Sequence, residues 1–200
     1  MRLGEGEQLW RAGEPARGFA MIERGLVLIS VPRIDGAMAS LGLFGAGECV
    51  GLAAALDERA GYPADATALT PAFEALMVPA VAAREEMARD PSCATALREA
   101  LLEHTRALRA KIEILSAGKV ASRLASLLLH LAERFGDADG GTRRIPIVLS
   151  RPMLAQLVSA RPETVIRTLT RWRKEGIVQT DDEGFLVRET SRLVELAAGR

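Results

Sequence analysis

The chain has 200 residues, of which 48% are hydrophobic, so it is long and apolar enough to form packed cores in one domain or two small ones. Its 26 basic and 26 acidic side chains give a formal net charge of zero, which by itself argues against a nucleic-acid-binding protein. However, residues 1–118 carry a net charge of −4 and residues 119–200 a net charge of +4. The asymmetry predicts an acidic module joined to a basic one.

Several protein classes are excluded by simple features. No apolar run reaches the roughly 18 to 20 residues that a membrane span needs, and the N-terminal sequence lacks a signal-peptide core, so we expect a cytoplasmic protein without a membrane partner. Cys49 and Cys93 lack CxxC spacing, which predicts small buried hydrophobes and no metal site. Two histidines 26 residues apart, with no nucleophile elbow or phosphate loop, predict that the chain is not an enzyme.

The first 79 residues have the pattern of short strands separated by glycine-containing turns. Asp35-Gly36, between two apolar runs, is typical of a hairpin turn. This spacing of strands favours a β-roll or barrel. The apolar runs are Phe19–Ile22, Leu26–Val31, Met38–Phe44 and Phe73–Val78.

Helical periodicity replaces the strand pattern after Pro79. Val81–Met87 predicts a short helix, and a longer one follows with an a/d heptad seam. A helix of about 25 residues would extend nearly 38 Å, too far for a lone helix on a small domain, so we expect a two-fold dimer. Packing of the seam on the β domain is the alternative, and both arrangements are compatible if Leu102 and Ile112 face that domain. The predicted dimer seam contains Leu97, Leu101, His104, Leu108 and Leu115.

The basic half of the chain begins with a second amphipathic helix, Lys119–Phe135, and a short strand, Arg144–Leu149. Two helices then lie on either side of Ser159 and Ala160. Ser150 is placed to be the N-cap of the first, in which Met153, Leu154, Leu157 and Val158 form the apolar face.

The second helix of this pair is expected from Pro162 to Lys174, before the Gly176 stop. Val165, Leu169 and Trp172 share the face that packs on the first helix. Between residues 143 and 174 there are eight basic side chains and one acidic side chain, Glu163, which is the charge pattern of a DNA-binding helix-turn-helix. The eight are Arg143, Arg144, Arg151, Arg161, Arg167, Arg171, Arg173 and Lys174.

A hairpin and a last helix complete the predicted elements. Ile177–Thr180 and Phe185–Val187 flank a polar turn at residues 181–184, which predicts a wing beside the helix-turn-helix. Ser191 is placed to cap a short helix, Arg192–Ala198.

Two side chains in the second helix of the pair are suited to reading bases. Glu163 can accept a hydrogen bond from cytosine N4, and Arg167, one turn later on the same face, can donate to guanine O6 and N7. The alternative is that Glu163 complements the helix dipole and forms a surface ion pair with Arg167.

The segment Glu163-Thr164-Val165-Ile166-Arg167 and the exit Lys174–Ile177, together with the order of domains, resemble the Crp/Fnr superfamily of transcription regulators. The resemblance implies an α+β fold with three parts. They are a β-roll of the cyclic-nucleotide-binding type (a double-stranded β-helix) at residues 1–90, a dimerisation helix at 91–117 and a winged helix-turn-helix at 118–200.

The same resemblance implies a function and a set of partners. We expect a bacterial homodimer that binds a palindromic operator in double-stranded DNA, with RNA polymerase as a further partner. Base contacts fall to Glu163 and Arg167, and phosphate contacts to Arg151, Thr164, Arg161 and Arg171. Pro162 and Ile166 differ from the residues that relatives have there, so the operator should be related to theirs but not identical.

The effector of the β-roll is left open. Leu52 stands where cyclic-nucleotide binders have a glutamate, and Ala64-Asp65 stands for their Arg-Ser pair, so binding of cyclic AMP is not expected. No cysteine precedes Cys49, which disfavours an iron-sulfur cluster. Haem, held by His104 or Cys49 in a sensor of NO or CO, stays open as a cofactor, although His104 also fits a packed seam position. A non-catalytic protein-interaction module is the alternative function.

Overall fold

The structure is a computed structural model that describes residues 1–34, 36, 38–57, 61–139 and 142–199. It is α+β and falls into two compact units, residues 1–109 and 110–200. The longest helix contributes residues to both units.

Unit 1 is a β-roll built from two four-stranded sheets, with strand orders β1-β8-β3-β6 and β2-β7-β4-β5. All strand pairs are antiparallel, and the hairpin of β4 and β5 pairs Pro32 with Met38. The four predicted apolar runs are confirmed as strands β3, β4, β5 and β8, whereas Asp35 of the predicted turn lies outside the described residues. The strands are β1 (Arg2–Leu3), β2 (Gln8–Trp10), β3 (Gly18–Arg24), β4 (Val27–Pro32), β5 (Met38–Phe44), β6 (Cys49–Val50), β7 (Asp65–Ala68) and β8 (Phe73–Pro79).

Alternation of apolar side chains fills the space between the two sheets. Val27, Ala66, Ala68 and Phe73 are fully buried there, and small alanines let the opposed sheets approach closely. The described helices in this part of the chain are α1 (Leu52–Leu56), α2 (Ala80–Arg89) and the first part of α3 (Pro91–Ser116). The predicted short helix is confirmed as α2. Helix α3 ends at Ser116, before Gly118, whose φ of +75° is typical of a helix stop.

Unit 2 is a winged helix-turn-helix. Its sheet has the order β11-β12-β10-β9, and its core is made by fully buried side chains of which Trp172 and Phe185 are the largest. The elements that follow α3 are α4 (Val120–Phe135), β9 (Asp137–Asp139), β10 (Thr142–Ile145), α5 (Arg151–Leu157), α6 (Pro162–Lys174), β11 (Val178–Asp181), β12 (Gly184–Val187) and α7 (Thr190–Ala197).

The elements predicted in unit 2 are present, with the bounds of α6 as predicted, and three details of the others differ. The strand expected to extend to Leu149 stops at Ile145, because Pro146 has no N–H to continue the ladder. Helix α7 begins at Thr190 with Glu189 as its N-cap residue, so the predicted cap at Ser191 is wrong. The wing turn is tighter than expected because Asp181 already pairs with Gly184.

Candidate nucleic-acid interface

Helix α5 is capped at its N-terminus and is followed by a tight turn before α6. The Ser150 hydroxyl accepts a hydrogen bond from the Met153 N–H at 3.2 Å, which confirms it as the N-cap of α5. After α5 the chain turns through Ser159, which has a φ of +49°, the left-handed conformation that reverses a helix direction. The turn therefore fixes where α6 begins.

Two cationic side chains donate hydrogen bonds to carbonyl groups at the end of α5 and in the turn that follows it. Lys111 Nζ donates to the Leu157 carbonyl, and Arg123 Nη1 donates to the carbonyls of Val158 at 3.2 Å and Ser159 at 3.3 Å. Burial lowers the pKa of Lys111 to about 8. Sequence patterns did not predict these contacts, because 35 to 46 residues separate the partners.

Helix α6 presents one apolar face and one polar face, as predicted. Val165, Leu169 and Trp172 are buried against the rest of unit 2, and the Thr168 hydroxyl on this face donates to the Thr164 carbonyl at 2.8 Å. The opposite face is open to solvent. Its exposed side chains are Glu163, Ile166, Arg167, Thr170, Arg171, Arg173 and Lys174.

The two predicted base readers are exposed and unengaged. Glu163 and Arg167 lie one turn apart on the solvent face of α6, and neither side chain forms a hydrogen bond or an ion pair with the other or with any other residue that the structure describes. The surface ion pair that was the alternative explanation is therefore not formed. On the same helix, Arg171 approaches Glu175, but only to 3.9 Å. Both readers are free to meet a partner without breaking an internal contact.

Arg151, predicted as a phosphate contact, has a second role within the protein. It is half-buried, and its Nη2 donates to the Thr180 hydroxyl at 2.8 Å, joining the first turn of α5 to strand β11. Desolvation by burial lowers the pKa of its guanidinium. One hydrogen bond uses only one of the five N–H donors of arginine, so the side chain can still meet a phosphate.

Arg144 is engaged entirely with the wing. Its guanidinium donates to Asp181 Oδ2 at 2.6 Å, to Asp181 Oδ1 at 2.8 Å and to Glu183 Oε2 at 2.7 Å. These hydrogen bonds hold the pKa of the Asp181 carboxyl below its usual value. Arg144 thus orients the wing, and the charge excess available to a nucleic acid is smaller than the count of eight basic residues suggests.

The remaining predicted phosphate contacts lie around the start and middle of α6. Arg161 is the N-cap residue, with an exposed side chain, and Thr164 in the first turn is half-buried. Arg171 is exposed one turn after Arg167. Both predicted base readers and three of the four predicted phosphate contacts therefore lie on α6 or at its N-cap.

The predicted dimer seam on α3 has partners within unit 1. Leu97 and Leu101 pack against the apolar cluster around Phe19, and the His104 ring stacks on Phe44 with centroids 5.0 Å apart and planes 8° apart. Leu108 lines a cavity in the same unit, and Leu115, farther along, is half-buried. Conversely, Leu102 and Ile112, expected to face the β domain, are 49% and 65% exposed, so that prediction is wrong. The stacked ring selects which face of the helix turns inward.

Unit 1 contains a cavity of about 190 Å³. Leu52 and Ala64 line this cavity with apolar side chains. They occupy two of the positions at which cyclic-nucleotide binders contact their ligand, according to the resemblance described above. The Asp65 carboxylate accepts a hydrogen bond from the Ala12 N–H at 2.7 Å. In the described part of the chain, none of the side chains that line this cavity is charged, so a cyclic phosphate has no counter-charge here.

Haem does not fit the residues present. A cavity of about 150 Å³ holds one benzene ring, so 190 Å³ is too small for a porphyrin with its four pyrrole rings. Burial raises the pKa of the Cys49 thiol, whereas an iron-bound cysteine is a thiolate. Among the described residues there is also no group of three or more His, Cys, Asp and Glu side chains placed to hold a metal ion.

Comparison with known proteins gives matches in both units. Residues 122–196 match the family described as Crp-like helix-turn-helix domain, and residues 1–90 match the family described as cyclic nucleotide-binding domain. The chain is 34% identical to the regulatory protein CysR of Synechococcus elongatus, over 84% of this chain and 74% of that protein. It is 28% identical to the CRP-like cAMP-activated global transcriptional regulator of Mycobacterium tuberculosis, over 96% of this chain and 85% of that one.

Solved structures share the fold. A transcriptional regulator of the CRP family from Thermus thermophilus superposes with a TM-score of 0.80 at 24% identity, covering 98% of this chain and 96% of that chain. FixK2 from Bradyrhizobium japonicum superposes with a TM-score of 0.84 at 20% identity, covering 98% and 95%. No helix in the described ranges combines the length and the apolar composition needed to cross a membrane.

Proposed function

The chain belongs to the Crp/Fnr family of transcription regulators, and we propose that it acts as a homodimer that binds a palindromic operator in double-stranded DNA. The proposal places α6 in the major groove, with Glu163 and Arg167 reading neighbouring base pairs. Arg151, Thr164, Arg161 and Arg171 bind phosphates and fix the register of the helix. The proposed site of action is the cytoplasm, with RNA polymerase as the partner that converts binding into regulation.

One observation carries this proposal: the side chains of the two readers have no internal partner. Glu163 is a carboxylate in the first turn of α6 and Arg167 a guanidinium one turn later, both exposed and neither paired within the described residues. A Glu–Arg pair that served only helix stability would close on itself at i,i+4 spacing. Two unpaired, oppositely charged groups on one helix face instead match the donor and acceptor pattern of adjacent base pairs in the major groove.

An apolar residue beside the two readers would add to the sequence preference of DNA binding. Ile166 is 48% exposed on the flank of the same face, although isoleucine gains nothing from contact with water. An exposed branched side chain next to base-reading groups is suited to the methyl group of a thymine. We therefore propose that each half-site of the operator contains two neighbouring base pairs contacted by Glu163 and Arg167, and a thymine beside them that contacts Ile166.

The dimer interface in this proposal lies on a face of α3 beside the one predicted from the sequence. Leu102, Thr105, Arg109 and Ile112 follow each other at spacings of three and four and are all exposed. Contact with a second chain would bury both Leu102 and Ile112. A two-fold axis along this helix would give the dimer the symmetry that a palindromic operator requires.

Salt dependence of binding to duplex DNA tests the proposed function. Charged phosphate contacts by Arg151, Arg161 and Arg171 in each of two chains make six, which predicts a slope of about −5 in a plot of log affinity against log salt concentration. Affinity should fall about a thousandfold between roughly 50 and 200 mM salt. A helix-turn-helix that serves as a protein-interaction module would give no measurable DNA affinity or a flat response, and either result would overturn the proposal.

A further inference from the structure

The cavity of unit 1 has aromatic and aliphatic walls. The side chains of Trp10 and Tyr62 come from the β-roll, and those of Leu101, His104 and Leu108 come from α3. With a volume of about 190 Å³, it exceeds the roughly 150 Å³ that accommodates benzene in a protein core. The space therefore suits one six-membered ring with a short substituent, and is too small for a purine joined to a ribose and a phosphate.

The polar groups on these walls are all uncharged at neutral pH. The Tyr62 hydroxyl donates to the Gly18 carbonyl at 2.6 Å, so it offers the cavity only an acceptor. Burial lowers the pKa of the His104 imidazole, with Glu48 opposing the shift, and burial raises the pKa of the Cys49 thiol, with Glu48 adding to the shift. A charged ligand would lose its hydration here without gaining a counter-charge.

The aromatic walls are fixed before any ligand arrives. Trp10 and Tyr62 stack with centroids 4.2 Å apart and planes 12° apart. Behind them lies Gly51 with a φ of +79°, where a Cβ atom would come within 3.0 Å of both rings. His104 is held in the same way by its stack on Phe44. Rigid ring faces favour a planar ligand, because aromatic pairs add a geometric preference to the burial of area.

We propose that this cavity binds a small, uncharged aromatic molecule, one ring carrying one hydrogen-bonding substituent, and that this molecule is the signal that the regulator senses. The first half of the proposal stands on the cavity alone, and the second half rests on the proposed function. Because the ligand would touch the β-roll and α3 together, its binding free energy depends on where α3 lies against the roll. A ligand can control DNA binding only through such a difference between two arrangements.

Calorimetric titration of the full chain, without DNA, tests the first half. The probes are benzyl alcohol, which has the stated chemistry, benzoate, which has the same ring with a negative charge, and cyclohexylmethanol, which has the same outline without aromaticity. We expect benzyl alcohol to bind with a dissociation constant below about 1 mM, and benzoate and cyclohexylmethanol to bind at least about tenfold more weakly. No heat with benzyl alcohol, or tighter binding of either comparison probe or of cyclic AMP, overturns the proposal.

A variant at the rim locates the binding. Ala53 lines the cavity from α1 but is exposed, so Ala53→Phe can fill the mouth without overpacking the core. Ala82→Phe makes the same change on the exposed side of α2, away from the cavity, and is the matched control. We expect at least a tenfold loss of benzyl alcohol affinity for the first variant and none for the second. Equal affinities for both variants would place the probe elsewhere and refute the assignment.

DNA binding is measured separately, with and without benzyl alcohol. A change in DNA affinity of fivefold or more on saturation, absent from Ala53→Phe, supports the signal role. Binding of the probe with no change in DNA affinity overturns the signal role and leaves the cavity assignment standing. Failure to bind DNA under any condition overturns the proposed function, and the calorimetric result is independent of it.

Discussion

Replacement of Arg167 by alanine is the sharpest perturbation of the proposed interface. The side chain is exposed and makes no hydrogen bond or ion pair with the described part of the protein, so its loss should change the free energy of unfolding by no more than about 0.5 kcal/mol. If it donates to guanine O6 and N7, its loss removes about 1 to 3 kcal/mol of discrimination at one base pair of each half-site. That is a factor of about 5 to 140 for each half-site.

The assay is selection of duplexes from a random library, followed by measured affinities for all four bases at each position. Arg167→Ala should flatten the preference at one position of the half-site and leave the others unchanged. Glu163→Gln should act on a neighbouring position, because the amide has one acceptor but also a donor that cytosine N4 does not match.

Arg171→Ala is the matched control, because Arg171 carries the same charge one turn later on the same helix. As a phosphate contact it should weaken all sequences about equally and reduce the magnitude of the salt slope by about 2 for the dimer. An unchanged base preference in Arg167→Ala, or the same uniform loss in both variants, would refute the assignment of Arg167 as a reader.

Three further changes test the architecture that positions this helix. Gly184→Ala should destabilise unit 2 by more than about 2 kcal/mol, because the added Cβ would lie 2.2 Å from the Ile145 carbonyl oxygen. Gly176→Ala should cost about 1 kcal/mol, because Gly176 also has a positive φ but has open space around it. Urea unfolding of the two variants measures the difference. Burial lowers the pKa of Lys111 to about 8, so between pH 8 and 10.5 the unfolded chain binds more protons than the folded chain. The free energy of unfolding of the wild type, relative to that of Lys111→Met, should therefore rise as the pH rises through that window. A difference that does not depend on pH would contradict the burial of a charged amine. Leu102→Glu should shift sedimentation from dimer to monomer, and Leu76→Glu, a change at a similarly exposed leucine on β8, should not; dimers that persist in Leu102→Glu would exclude the proposed face.

Local chemistry explains why α6 is predictable to the residue. Pro162 is favoured in the first turn of a helix, where a backbone N–H would have no partner within the helix. The helix ends at Lys174, and Gly176, two residues later, has the φ of +75° that is typical of a helix stop. The face that packs inward follows from Val165, Leu169 and Trp172 at spacings of four and three. Each of these signals lies within the helix or beside it.

The face of α3 that packs inward cannot be predicted in the same way. The seam through His104 and the neighbouring face through Leu102 and Ile112 both carry apolar residues at helical spacing, so periodicity alone leaves their roles interchangeable. The choice depends on Phe44, 60 residues earlier in the chain, whose ring stacks on His104. The functions of Arg144 and Arg151 are hidden for the same reason, because Asp181 and Thr180 lie 37 and 29 residues away.

The contacts around the helix-turn-helix turn define a direct physical route to the recognition helix. Lys111, near the end of α3, and Arg123, in the first turn of α4, both donate to carbonyls within residues 157–159. The Ala160 N–H then donates to the Ala155 carbonyl at 2.9 Å, and α6 begins two residues later. Lys111 therefore ties the last turns of α3 to the turn that precedes α6. If a signal moved this end of α3, the contacts of Lys111 and Arg123 with the turn would be the first to change on the way to α6.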